Sequence, residues 1–264
     1  MTAARAALGA LASCVLVAVT DVHAVAAAPP APIAAVRLVA LAERLAKLHA
    51  QVGQGVLAAR SRRELAQAQR DFDAGLRAVT AQASSAEARD NYLLLAALWR
   101  EHRDWLARAP TRESAREMRA RTEEVVWVAQ KGARLLQADS RALVHAGAFR
   151  AAQVELLCQR LAKVYLWRRW GMHDERLEKE RRDADENLGR LLAALHEARG
   201  NTPEIEAELQ SADTQLRFLR ESALELDSGR SAQSPIEFVA KAADHIRQAM
   251  ERAGELFESR APPI

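Results

Sequence analysis

Leu41-Ala42-Glu43-Arg44-Leu45-Ala46-Lys47-Leu48 returns as Leu157-Cys158-Gln159-Arg160-Leu161-Ala162-Lys163-Val164, 116 residues further along the chain. At the same spacing Gly55 meets Gly171, Phe72 meets Leu188, Leu76 meets Leu192 and Val79 meets Leu195. The match therefore extends well beyond the eight-residue core and implies two copies of one helical unit. A module of roughly 110 residues is the size of one domain.

Within the first copy Leu38, Leu41, Leu45, Leu48 and Val52 step by three and four, which puts them on one stripe of a helix. Val154, Leu157, Leu161 and Val164 repeat that stripe in the second. Aromatic residues make up only 5% of the chain and no run alternates with period two, so strands are not expected. Helix starts are expected at Ser61 to Glu64, Ser84 to Glu87, Thr111, Thr202-Pro203 and Ser234-Pro235, where a hydroxyl can accept the first unpaired amide hydrogens. Gly200-Asn201 marks a stop.

These marks predict helices near 33–57, 61–82, 85–108 and 112–137, then 141–171, 173–199, 203–227 and 235–259. The expected fold is all-α, with two tandem up-and-down four-helix bundles covering 33–138 and 139–260. Residues 112–171 contain no proline, so a long, near-continuous helix is expected to link the bundles end to end.

Residues 1–28 read as a secretory signal peptide, with Arg5 as the positive start, an apolar stretch from Ala6 to Val19, and small residues at Ala24 or Ala28 for cleavage. An uncleaved anchor and acylation at Cys14 are the alternatives. Pro29, Pro30 and Pro32 make 29–32 an extended linker. A periplasmic location follows for the mature chain, which is expected to have no transmembrane segment and to need a partner to carry any signal inward. Loss of the leader leaves the net charge at +3 and Cys158 as a lone cysteine, expected to be buried.

The basic residues alternate with acidic ones, as in Glu178-Lys179-Glu180-Arg181-Arg182-Asp183, a pattern of solvated helix faces that, with export, argues against nucleic acid. There is no Gly-x-Ser-x-Gly, no phosphate-cradling glycine loop and no Cys-x-x-Cys-His. His49, His102, His145, His173, His196 and His245 lack the partners one turn on that a zinc or di-iron helix site requires. Catalysis, a metal and a cofactor are therefore not expected.

Gln159-Arg160-Leu161-Ala162-Lys163 with Tyr165, followed by Phe238-Val239-Ala240-Lys241-Ala242-Ala243-Asp244, resembles the N-terminal sensory domain of type IV pilus methyl-accepting chemotaxis transducers, the PilJ-type domain. That family reads Gln-Arg-Met-Ala-Lys in its first helix and Val-Ala-Lys-x-Ser/Ala-Asp in its last. Here the first motif occurs twice and the second is echoed by Val128-Ala129-Gln130-Lys131, so the resemblance spans nearly the whole mature chain. It implies a periplasmic helical bundle with a sensory role; in the related domain of nitrate and nitrite sensor kinases the anion is bound between helices. The arginine that contacts anions there lies five residues before the motif arginine, where this chain has Val39 and Glu155. The membrane helix and coiled coil that follow in the family have no counterpart before Pro262-Pro263-Ile264, which reads as a free-standing module.

Arg44, Lys47, Arg160 and Lys163 are the candidate ligand contacts, because they flank the apolar stripe where a guanidinium can hold a small anion in a partly dry groove. The competing expectation is that they pair with glutamates of neighbouring helices. Tyr165, Trp167, Arg169 and Trp170 form an aromatic and basic cluster at a helix end, either a partner surface or the closure of a bundle. Trp99, Trp105 and Trp127 are expected in the core or at bundle junctions. An envelope or transducer protein, or a second copy of the chain, is the expected partner. A structural envelope component without a small ligand is the alternative function.

Overall fold

A computed structural model describes residues 29–140, 144–227 and 233–260. The expected signal peptide lies outside the described residues. Eight helices run through the described residues: α1 (Ala31–Gly53), α2 (Ala58–Gln82), α3 (Ala86–Leu106), α4 (Ala115–Asp139), α5 (Ala146–Arg169), α6 (Glu175–His196), α7 (Pro203–Asp227) and α8 (Gln233–Ser259). No strand occurs among the described residues.

Several of the starts carry a side-chain cap. Ser85 accepts a hydrogen bond from the Ala88 amide at the head of α3, Asp174 from the Leu177 amide (2.8 Å) at the head of α6, and Thr202 from the Ile205 amide before α7. Ser61 is not a cap: α2 begins at Ala58, behind Leu57 in the left-handed region (φ 48°), and the Ser61 hydroxyl donates to the Val56 carbonyl. Gly55 (φ 70°) and Gly171 (φ 83°) take the same left-handed turn after α1 and α5, a conformation that glycine adopts without steric cost.

Contacts run from α1 to α2, α2 to α3, α3 to α4 and back from α4 to α1, and the same ring recurs for α5 to α8. The repeat-matched pairs Phe72 and Leu188, Leu76 and Leu192, and Val79 and Leu195 are all buried. The two rings meet side by side through α1 and α5. Glu43 contacts Arg160 and Lys163, while Gln54 at the end of α1 donates to the Leu166 carbonyl near the end of α5, so these helices run in the same direction.

That arrangement corrects the expected near-continuous link. α4 ends at Asp139 and α5 starts at Ala146, with the His145 ring accepting from the Gly147 amide. The chain must reverse here to lay the second motif against the first. A side chain at Gly147 would sit 2.7 Å from the Phe257 ring, so the glycine read as a weak point is instead a close approach to α8.

Helices buried on one face alternate with two buried nearly all round. α1 and α5 carry Glu43, Lys47, His49 and Gln51, and Glu155, Gln159 and Lys163, inside the protein. Burial of that many polar groups requires partners, since an unpaired one costs about 1–3 kcal/mol. Those partners define the site.

Candidate functional site

The four candidate cations lie on α1 and α5, at the seam between the rings. Lys163 is 2% exposed, with its Nζ 2.6 Å from Glu43 Oε2 and 2.7 Å from Glu180 Oε1, and stands 4.4 Å from the centre of the Trp167 ring. Arg160 meets Glu43 through Nε at 2.7 Å and Glu180 at 3.8 Å. Burial raises the Glu43 carboxyl, but Lys163 and Arg160 together outweigh it and hold the group below its ordinary range.

The other pair obeys the same logic across the seam. Lys47 bonds Asp244 on α8, and Arg60 reaches the same carboxylate at 3.8 Å. Burial pushes Asp244 up, yet Lys47, with Arg44 and Arg247 behind it, holds it below its ordinary range. Arg44 meets Glu64 at 3.6 Å, just as Arg160 faces Glu180, and Glu64 and Glu180 stand at the same 116-residue spacing as the arginines. Both lysines thus reach across the seam: Lys47 binds α8, and Lys163 binds α1 while also holding Glu180 of its own ring. Asp244 closes the second of the two quoted motifs, so first-helix lysine and last-helix aspartate meet across the seam, and Gln159 adds a bond to the Ala243 carbonyl at 3.1 Å.

Above Lys163 a groove of about 300 Å³ opens between α4 and α6. Glu123, Val126, Trp127 and Gln130 form one wall, and Arg176, Lys179, Glu180 and Asp183 the other. Its floor is Glu43, Arg160 and Lys163, so two of the four candidate cations line a cavity and the other two, Arg44 and Lys47, do not line this one. The walls are tied by Arg176 and Glu123 at 3.0 Å. Four acidic and four basic side chains face the space, which leaves it electrically balanced.

Trp127 is 59% exposed on this groove, so of the two expected places, core or bundle junction, it takes the junction. It falls off the Val125, Val128 and Gly132 stripe that packs inward on α4, whereas Trp99 and Trp105 are buried as expected.

The aromatic cluster at the end of α5 is not an exposed surface. Tyr165 and Trp167 are buried, and Trp170 packs so closely on α1 that a side chain at Gly53 would lie 2.4 Å from its ring; only Arg169 is exposed. These residues seal the junction of the two rings because α5 is enclosed by α1, α6 and α8. Cys158 is buried as expected, near the carbonyls of Glu155 and Ala243, and burial pushes its thiol up to about 12.

Glu43, Glu180 and Trp127 were not among the expected site residues. The recurrence of glutamate at 64 and 180 was a signal available in the sequence; Glu43 has no such echo, since Gln159 occupies its counterpart.

Comparison with known protein families, curated proteins and solved structures finds no match for this chain. Among the described residues no helix is long and apolar enough to cross a membrane.

Proposed function

We propose that this chain is a non-enzymatic sensory or ligand-binding module of the periplasm, similar to the type IV pilus transducer N-terminal domain, and that it relays binding through an envelope or transducer protein. One observation carries the reading. Two cations of the repeated motif form the floor of a solvent-reaching groove whose walls belong to different copies of the repeat. A small ligand with an anionic group placed there touches both rings at once, so its binding energy acts on their relative position. That is the property a relay needs.

A thermal-melting screen of the purified chain against anions and small metabolites tests it, because a ligand bound only by the native state raises the melting temperature. Arg160→Ala should abolish a ligand-induced shift. Arg44→Ala, whose guanidinium pairs with Glu64 away from this groove, should retain it. No shift with any compound sinks the reading.

A second reading has its own support. Leu93 and Leu94 on α3, and Phe218 and Leu224 on α7, are exposed apolar side chains on helices remote from the seam. They favour a protein-interaction component of the envelope, which recovery of an envelope protein with the chain, and no ligand shift, would support.

A further inference from the structure

The chemistry of the groove specifies more than an anion. Its floor holds two cations against one fully enclosed carboxylate, Glu43, and the second carboxylate that balances them, Glu180, reaches in from α6 and is 21% exposed. Glu43 is fixed from two sides, whereas Glu180 sits on the wall and faces water. Of the two, Glu180 is the counter-ion that can be exchanged.

A bare carboxylate entering in its place would leave the groove with one negative charge in excess and Glu180 without its partner. A ligand that brings its own ammonium adds one charge of each sign to the four and four and keeps the groove balanced. Asp183 provides the landing point, since it lies three residues from Glu180 on the same helix face and its carboxylate is engaged, among the described residues, only by the exposed Lys179 at 2.6 Å, a surface pair of small worth. On the other wall, between Glu123 and Gln130, Trp127 and Val126 offer an apolar face beside the floor. A volume of about 300 Å³ suits a small metabolite and excludes a folded peptide.

We propose that the groove between α4 and α6 binds a zwitterionic amino acid with an apolar or aromatic side chain, its carboxylate replacing Glu180 at Lys163 and Arg160, its ammonium at Asp183, and its side chain on Trp127. This rests on the ligand-binding reading above and narrows it to one chemical class.

Isothermal titration of the purified full chain with L-phenylalanine, phenethylamine and 3-phenylpropionate tests it. L-phenylalanine should bind, and the two compounds that lack the carboxylate or the ammonium should bind at least tenfold more weakly. Trp127→Ala, at an exposed position where folding is not at stake, should weaken L-phenylalanine at least tenfold. Glu180→Gln, which removes the competing carboxylate, should bind L-phenylalanine at least as tightly as the unaltered chain; a merely structural Glu180 would weaken it. Binding of 3-phenylpropionate or inorganic anions without L-phenylalanine, lost in Arg160→Ala, overturns the amino-acid assignment and leaves the ligand-binding reading standing. L-phenylalanine binding that Trp127→Ala does not touch overturns the site. No binding by any of the compounds overturns this inference.

Discussion

Lys163→Met removes a buried ammonium and keeps nearly the same length of side chain. Glu43 is then left inside the protein with Arg160 at 2.7 Å as its one remaining close cation. Breaking a buried ion pair from one side costs about 3–5 kcal/mol, because the stranded charge keeps its desolvation penalty and loses its attraction. The surviving Arg160 contact places the expected loss at the low end, about 3 kcal/mol. For a chain of this size that corresponds to a fall in melting temperature of about 6–12 °C. Adding Glu43→Leu to the same chain removes the stranded charge, and Arg160, partly exposed, turns to Glu180 and water. The double variant should regain about 2 kcal/mol of what the single one lost. Urea unfolding of the four members of the cycle, followed by circular dichroism, measures this coupling. A Lys163→Met variant within about 0.5 kcal/mol of the unaltered chain, or two changes whose costs simply add, would refute the buried network.

Glu155 supplies a pH signature. Burial, with Glu251 beside it, pushes its carboxyl up to about 7 against the pull of Arg37, Arg247 and Arg44. Between about 4.5 and 7 the native state then keeps a proton that the unfolded chain has lost, so this group's contribution falls as pH rises through that window. Glu155→Gln should be more stable than the unaltered chain by up to about 3 kcal/mol at pH 8 and little different at pH 4, as read by urea midpoints. His49 and His102, held down to about 4 chiefly by burial, act the other way: stability is lost as pH falls from about 6.5 towards 4. Glu155→Gln should therefore steepen the acid limb of the stability curve, and an unchanged limb would count against its raised pKa. Cys158 should be inert to thiol reagents in the native protein and react once the chain is unfolded; prompt labelling without unfolding would contradict its enclosure.

The helices were largely legible because their signals are local. α7 begins and ends where Thr202-Pro203 and the Ile205 to Leu226 stripe place it, and α3 is capped by Ser85, one residue past the expected Ser84. The repeat carried through to backbone detail, with Gly55 and Gly171 in the same turn. Pairing of the motif cations with carboxylates of neighbouring helices was among the expectations, but which helices supply those carboxylates was not legible, because the seam joins residues far apart in the chain. Lys47 finds its carboxylate, and Lys163 one of its two, in the other copy, a relation that no spacing within a helix encodes. The helix expected over 112–171 failed for a related reason: absence of proline permits continuation, but burying the second motif stripe against α1 requires a reversal near Ser140. The exposure of Trp127 was readable, since it lies off the inward stripe of α4.

Both the ion network and the groove depend on α1 lying beside α5, which solution scattering tests most directly. For residues 29–264 packed as two bundles side by side, the monomer should have a radius of gyration of about 18 Å. Bundles built on helices of 25 residues, placed end to end, would make a rod about 75 Å long with a radius of gyration of about 23 Å. The smaller value is the predicted result, and a monomer near the larger one would contradict the seam and everything built upon it.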